Sequence, residues 1–148
     1  MNTNERTLNR NTAFLLILEG FLIFAPLIIL GAAIEWPATL GDPAEIMLPR
    51  IYEESGAVAL GYFTYLIYSV LFWPVALLTA RVIAGKDEFS PLLRMAVGFG
   101  IASAVLRTLG IVRWLFPMPV LAKQYVDPTT SEATREAILE NVQELGFD

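Results

Sequence analysis

Residues 13–34 read AFLLILEGFLIFAPLIILGAAI, an apolar run of 22 residues in which Glu19 is the one charged side chain. As an α-helix this run is about 33 Å long, enough to cross the hydrocarbon core of a bilayer. The small residues Gly31, Ala32 and Ala33 near its end also resemble the cleavage site of a signal peptide. Because the run is long for a signal peptide and contains an acid, we predict an uncleaved transmembrane helix.

The composition of the whole chain favours a membrane protein. Of the 148 residues 55% are hydrophobic, and 15 acidic against 10 basic residues give a formal net charge of -5. A soluble domain of this size could bury so many apolar side chains only by giving up most of its polar surface. The chain has no cysteine and no histidine, which excludes disulfides, thiolate nucleophiles and metal or haem sites built on those residues. We therefore expect no cofactor and no metal site. Without a cluster of Lys and Arg, we also expect no nucleic-acid partner.

Two further apolar segments are long enough to cross a membrane, at residues 56–84 and 92–117. The turn between them, residues 85–91, reads GKDEFSP, and Gly85 and Pro91 are typical of a helix end followed by a helix start. We therefore predict an all-α integral membrane bundle of three transmembrane helices in a single domain, the last two forming a hairpin.

Prolines and aromatic residues mark positions within these two spans. Pro74 should kink the second span because proline lacks the backbone N–H and crowds the preceding turn. Pro117 and Pro119 should end the third span at an interface, where Trp114 fits an aromatic belt. Three tyrosines follow one face of the second span, a pattern that favours packing over a ligand cage: Tyr62, Tyr65 and Tyr68.

The segments outside the spans predict two shorter helices. The surface loop 35–55 predicts a short interfacial helix with Asp42 as N-cap, Pro43 in the first turn and Glu45 as the capping-box acid. Residues 131–145 predict an external amphipathic helix with the apolar stripe Ile138, Val142 and Leu145, and with the acidic face Glu132, Glu136, Glu140 and Glu144. An acidic helix suits packing on protein better than binding anionic lipid, and a solvated helix with one apolar edge is the alternative.

Basic residues near the span ends predict the orientation. Five lie at the N-terminus and the hairpin turn, against three in the first loop and the tail: Arg6, Arg10, Arg81, Lys86 and Arg94 against Arg50, Lys123 and Arg135. Because Lys and Arg are enriched in cytoplasmic loops, this distribution predicts a cytoplasmic N-terminus and an external tail.

Three charged side chains within the apolar runs form the candidate intramembrane polar site: Glu19, Arg107 and Arg113. A charge at the bilayer centre costs about 2.5 to 3.5 kcal/mol on insertion scales, so each needs a partner, a water-filled cavity or access to headgroups. Arg113, beside Trp114, is expected to reach the outer interface.

The depths of Glu19 and Arg107 decide whether they can pair. Counted along regular helices from the expected inner ends, Glu19 lies about 9 Å and Arg107 about 20 Å into the membrane. The difference of about 11 Å exceeds ordinary side-chain reach, so the sequence does not indicate an ion pair. Arg107 is interpreted either as an anion or headgroup site, or as a structural residue bonded to carbonyls or hydroxyls such as those of Thr64 and Ser69.

Small residues four apart allow close helix approach within one chain or between copies: Ala57 with Gly61, Gly98 with Ala102, and Gly100 with Ala104. The sequence has no phosphate-binding loop, dinucleotide fingerprint or nucleophile elbow.

Residues 107–125 read RTLGIVRWLFPMPVLAKQY and precede an Asp-Pro segment and an acidic helix. This stretch resembles uncharacterised prokaryotic multi-pass membrane proteins that share a domain of unknown function, DUF4386. The resemblance implies location in the plasma membrane of a prokaryote, and it implies no activity or functional residue. Members are usually longer, so this chain is expected to be a truncated form. The missing surface would come from further helices, a second copy or another protein.

Two functional hypotheses follow. The first is a non-enzymatic membrane protein whose helical bundle associates with itself or with a membrane partner protein through the external acidic helix and the first loop. The alternative is a transporter or a lipid- or anion-binding module in which Arg107 holds an anionic group and Glu19 titrates. A membrane enzyme ranks third because Glu19 would need an aqueous catalytic partner.

Overall fold

The computed structural model describes residues 3–144, apart from the side chains of Leu40 and Glu144. The described residues form helices joined by short turns, with no strand. The elements are α1 (Thr3–Leu22), α2 (Phe24–Ile34), a 3-10 helix (Ala38–Gly41), α3 (Ala44–Glu53), α4 (Ser55–Ala84), α5 (Pro91–Leu115), α6 (Pro117–Val126) and α7 (Glu132–Glu144). Three helical stretches are long and apolar enough to cross a membrane: Thr3–Ile34, Ser55–Ala84 and Pro91–Val126. The predicted all-α bundle with three candidate spans is confirmed.

The first helical stretch differs from its predicted form at both its start and its middle. It begins at Thr3, ten residues before the apolar run, and Glu5 near its start lies 3.5 Å from Lys86 in the hairpin turn. It is also interrupted at Ile23, between α1 and α2. The cause is Pro26, whose missing N–H leaves the carbonyl of Leu22 without its helical donor.

Helix α4 occupies the centre of the bundle, with α1 and α2 packed along one side and α5 along another. Two glycines permit the closest approaches. A Cβ atom on Gly61 would lie 2.5 Å from a methyl group of Leu30 in α2, and one on Gly100 would lie 2.6 Å from the Cβ of Ala76. By contrast, a Cβ on Gly98 would meet nothing within 4 Å. Two of the three small-residue pairs therefore contribute to packing within the chain.

In the hairpin, α4 ends and α5 begins at the residues predicted from the sequence. Gly85 ends α4 with a φ of 63°, a conformation that glycine adopts without strain. Pro91 is the first residue of α5, and the hydroxyl of Ser90 accepts a hydrogen bond from the Leu93 N–H at 3.3 Å. The hairpin turn lies at the same end of the molecule as the start of α1, because Lys86 and Glu5 meet there.

At the opposite end, α3, α6 and α7 form a cap over the ends of the spans. Helix α3 packs against α6 and also contacts α4 and α7. The cap contains much of the apolar core, in residues that are at most 5% exposed: Ala44, Met47, Leu48, Ile51, Met118, Ala122, Ile138 and Val142. Pro117 starts α6 after α5 has ended at Leu115, so the predicted end of the regular third helix at the prolines is confirmed.

The start of α3 corrects one prediction. Asp42 is not the N-cap, because α3 begins at Ala44 and Pro43 occupies the capping position without a side-chain hydrogen bond. The Asp42 carboxylate instead lies 3.9 Å from the Arg50 guanidinium.

The predicted amphipathic helix near the end of the chain is α7. Ile138 and Val142 of its apolar stripe are buried, and the acidic side chains that the structure describes are exposed: Glu132, Glu136 and Glu140. Leu145 and the side chain of Glu144 lie outside the described residues.

The turn from α6 into α7 is held by Asp127, whose carboxylate accepts hydrogen bonds from the Thr129 N–H at 2.8 Å and from the Thr129 hydroxyl at 2.6 Å. These bonds favour the charged form and lower the pKa of Asp127.

Candidate functional site

Arg107 of α5 is held against two aromatic rings of α4. Its guanidinium carbon lies 4.9 Å from the ring centre of Tyr68 and 4.4 Å from that of Phe72. At these distances the ring faces attract the positive charge. The Nε group donates a long hydrogen bond of 3.4 Å to the carbonyl of Ser103, whereas Nη2 is buried and has no hydrogen-bond partner. The Nη2 donor is thus desolvated and has no acceptor among the described residues.

The packing of α4 against α5 explains why Arg107 reaches these rings. The two helices are antiparallel and make their close approach where Gly100 faces Ala76. Seven residues beyond Gly100 is Arg107, and seven residues before Ala76 is Ser69, which lies between Tyr68 and Phe72. Tyr68 and Phe72 are one turn apart on the same face of α4, so both rings can meet one side chain.

Arg107 opens onto two clefts of about 220 Å³ and 130 Å³ that have Trp36, Tyr65 and Arg107 in common. The larger cleft extends along α5 to Arg113, and its other lining residues are Tyr62, Gly110, Ile111 and Trp114. The smaller cleft extends to the break between α1 and α2, and its other lining residues are Ile23, Pro26, Leu27 and Tyr68. A surface with five aromatic residues and two arginines is therefore continuous from the end of α5 to the middle of the first span.

Aromatic contacts shape the walls of these clefts. The Tyr62 ring stacks on Trp114, with ring centres 4.7 Å apart and planes 13° from parallel. The Trp36 ring meets Tyr65 edge-on, at 6.2 Å. All three tyrosines line the clefts, and Tyr62, which is 2% exposed, also packs in the core.

The position of Trp36 results from the way α2 ends. Glu35 adopts a left-handed conformation with φ of 57°, which terminates the helix. The next residue turns back, and the Trp36 N–H donates to the carbonyl of Leu30 at 3.3 Å. This reversal brings the indole over α4 and closes the cleft on that side.

Glu19 lies near the cleft and is 7% exposed, and neither of its carboxyl oxygens has a hydrogen-bond partner. Its electrostatic partner is Arg107, although no hydrogen bond joins the two side chains. Glu19 follows Thr3 by sixteen residues and Arg107 follows Pro91 by sixteen, so both lie about 24 Å from the hairpin end of their helices. The 11 Å difference estimated from the sequence is corrected, because the first helix begins before its apolar run.

The structure brings Arg107 and the half-buried Arg113 together in the larger cleft, whereas Glu19 is buried and lines neither cleft. The hydroxyl groups of Thr64 and Ser69 were predicted as partners of Arg107. They instead donate hydrogen bonds within α4, to the carbonyls of Gly61 and Tyr65.

Sequence reasoning missed two residues of the site, Phe72 and Trp36. Phe72 continues the tyrosine face, seven residues after Tyr65 and four after Tyr68, and helical spacing alone could have found it. Trp36 is positioned by a loop reversal that leaves no comparable signal.

The two clefts have features of a binding site. Aromatic walls with a few charged groups are typical of ligand sites, and a guanidinium with a free donor binds oxyanions such as phosphate or carboxylate. No carboxyl group is among the described residues that line the two clefts.

Comparison with known proteins identifies a family. The model of a family described as a domain of unknown function (DUF4386) matches residues 13–148. No curated protein and no solved structure shows significant similarity to the chain.

Proposed function

The chain belongs to the DUF4386 family, and we propose that it is a non-enzymatic membrane protein that binds an anionic group at Arg107, in the aromatic cleft between the first span and α5. The family description, a domain of unknown function, assigns no activity, so the proposal rests on the geometry of the cleft.

The observation that supports it best is the state of the Arg107 guanidinium. It is sandwiched against Tyr68 and Phe72, and its Nη2 donor is buried without a partner beside a cleft of about 220 Å³. Arginine keeps its charge, and a buried donor left without an acceptor costs free energy, so an anion entering the cleft would be stabilised. Arg113 adds a second positive charge to the same cleft.

The ligand chemistry is that of an oxyanion, supplied by a lipid headgroup or by a free anion. The neighbouring walls are apolar, formed by Ile23, Pro26 and Leu27 on one side and by Ile111 on the other. Such walls suit the glycerol and upper acyl carbons of a phospholipid, so we propose an anionic phospholipid as the main ligand.

The test is native mass spectrometry of the protein released from nanodiscs that contain phosphatidylglycerol and phosphatidylcholine. We expect retained phosphatidylglycerol in the wild-type protein and its loss in Arg107→Leu. Arg94→Leu is the matched control, because Arg94 lies at the hairpin end, where its guanidinium is 3.6 Å from Glu88 and exposed. A parallel titration with inorganic sulfate tests the free anion, and equal lipid and sulfate retention in all three proteins would overturn the proposal.

We also propose a plasma-membrane location with the N-terminus in the cytoplasm. The contact between Glu5 and Lys86 places the N-terminus and the hairpin turn at one end of the molecule, as three alternating spans require. The basic residues at that end support its cytoplasmic location. A reporter enzyme that works only outside the cytoplasm should be active when it is fused after Asp148. Activity of a fused reporter that works only in the cytoplasm would contradict this orientation.

A second candidate function is assembly with another copy or a membrane partner protein. It is supported by Gly98 and Ala102, which are exposed, and by the exposed glutamates of α7. Replacement of Glu132 and Glu136 by Gln should reduce partner recovery or change the oligomer mass. Unchanged assembly and recovery would remove the acidic face from this hypothesis.

A further inference from the structure

We propose that Glu19 is an internal competitor for Arg107, so that an anion binds in the cleft when Glu19 takes up a proton. The inference rests on the proposed anion site and adds its regulation. In the empty site the ionised Glu19 would compensate the charge of Arg107. In the occupied site the anion would do so, and Glu19 would be a neutral acid whose proton comes from water.

The first support is the isolation of the Glu19 carboxyl group. It is 7% exposed and both of its oxygens lack a hydrogen-bond partner. An ionised carboxylate in such a place is costly unless a nearby positive charge compensates it. The group therefore has two accessible states, a neutral acid or a carboxylate compensated by Arg107.

The second support is the helix register, which places Glu19 beside the arginine. Leu30 of α2 meets Gly61 of α4. Glu19 precedes Leu30 by eleven residues, and Phe72 follows Gly61 by eleven residues. Because α4 runs antiparallel to the first span, Glu19 and Phe72 lie at about the same level. The Phe72 ring is the one that lies 4.4 Å from the Arg107 guanidinium carbon.

The third support is the smaller cleft, of about 130 Å³, which extends from Arg107 to Ile23. Ile23 is one turn beyond Glu19, and its N–H donates to the Glu19 carbonyl at 3.1 Å. Arg107 is therefore reached through the smaller cleft from the side of Glu19 and through the larger cleft from the side of Arg113.

No other charged group takes the place of Arg107 among the described neighbours of Glu19. Helix α1 packs against α2 and α4. Helix α2 has no ionisable side chain, and the single charged residue of α4 is Arg81, near the hairpin end. The ionisable groups of α4 at the cleft are its tyrosines, and on α5 Arg94 lies near the hairpin and Arg113 at the far end. The Glu19–Arg107 couple therefore dominates the local charge balance.

The competition makes anion binding depend on pH with a fixed sign. When Glu19 is ionised, a ligand must displace it and a proton must be taken up, so the affinity falls as the pH rises. The affinity for the anion should fall by up to about tenfold per pH unit at pH values where Glu19 of the empty site is ionised. At low pH, where Glu19 is already protonated, the affinity should be constant.

The experiment measures binding of phosphatidylglycerol in nanodiscs and of inorganic sulfate in detergent between about pH 5 and pH 9, a range in which neither probe changes its charge. The wild-type protein should bind more tightly as the pH falls. Glu19→Gln should bind at every pH as tightly as the wild type does at low pH. Glu45→Gln is the control, since Glu45 is exposed in the cap and should leave the pH profile unchanged.

A second measurement does not depend on the variant folding. Calorimetry of sulfate or lipid binding to the wild-type protein, in two buffers of different ionisation enthalpy, should show uptake of up to one proton per bound anion. Binding that is independent of pH and without proton uptake would overturn the competition but leave the anion site intact. The absence of binding at every pH, in the wild type and in Glu19→Gln, would overturn both.

Discussion

At the scale of single residues, the central feature is a charge whose environment is aromatic. Arg107 donates one long hydrogen bond to a carbonyl of its own helix, and its guanidinium lies against the rings of Tyr68 and Phe72. In water such a contact is weak, but a desolvated cation over an aromatic face is stabilised by about 2 kcal/mol. The rings therefore replace part of the hydration that Arg107 loses within the bundle.

Replacing Phe72 tests this contribution. Phe72→Leu keeps an apolar side chain but removes the ring at 4.4 Å, and we expect the free energy of unfolding to fall by about 1 to 3 kcal/mol. Phe72→Tyr keeps the ring and should stay close to the wild type. Unfolding in mixed micelles with increasing dodecyl sulfate measures the difference.

Phe99→Leu is the control for this prediction, because Phe99 is 70% exposed on the outside of the bundle. Its replacement should change the free energy of unfolding very little. Equal losses for the Phe72 and Phe99 variants would show that the cation–π contact does not stabilise the protein.

At the scale of helices, α4 determines how the spans fit together. It contacts both the first span and α5, and each contact includes one tightly packed glycine, Gly61 against Leu30 and Gly100 against Ala76. These two contacts set the registers that bring Glu19 and Arg107 to the level of Phe72. A change in either register would separate the parts of the site while leaving the helices intact.

A methyl group at Gly100 should disturb the contact between α4 and α5. Its Cβ would lie 2.6 Å from the Cβ of Ala76, an atom fixed to the backbone, so the helices must move apart. We expect Gly100→Ala to lower the free energy of unfolding by about 1 to 3 kcal/mol and to weaken anion retention.

Gly98→Ala makes the same chemical change two residues away, where the new Cβ meets nothing within 4 Å. It should be neutral or stabilise the helix by up to about 1 kcal/mol, since alanine favours helices more than glycine does. The unfolding experiment used for Phe72 measures both variants. A loss for Gly98→Ala equal to that for Gly100→Ala would contradict the assignment of Gly100 as the contact point.

At the scale of the whole molecule, the spans expose many apolar side chains, whereas the cap helices share a buried apolar core. Many large apolar side chains of the spans are exposed, as expected where the solvent is lipid, and examples are Phe21, Ile28 and Leu109. The cap buries Met47, Leu48 and Ile51 of α3, although Ile46 and Tyr52 of the same helix are exposed. Helix α7 joins this core through Ile138 and Val142, and Arg135 Nη2 donates to the carbonyl of Asp127 at 3.1 Å.

Val142→Asp should release α7 and leave the three spans folded. Val142 is 0% exposed, and a carboxylate in its place would be buried without a partner. We expect cleavage of the tail by a protease added to nanodiscs to accelerate at least about tenfold, corresponding to a local loss above 1.4 kcal/mol. Gln143→Asp adds the same charge on the exposed face and should leave the cleavage rate unchanged. Global unfolding of the spans in Val142→Asp would show that the cap is not a separable layer.

The sequence by itself determined the helical class, the three apolar spans, and the helix boundaries at Gly85, Pro91 and Pro117, because run length and backbone chemistry are local properties. It also identified Glu19, Arg107 and Arg113, since a charge in an apolar run is visible without coordinates. Only the tertiary structure decided that Glu19 and Arg107 lie at one level, that Phe72 packs against Arg107, that Trp36 lines the cleft, and that Asp42 is not a cap. These features depend on where neighbouring helices begin and which residues meet between them. Helix register is fixed by contacts between distant segments, such as Gly61 with Leu30 and Gly100 with Ala76, which a count along one helix does not contain.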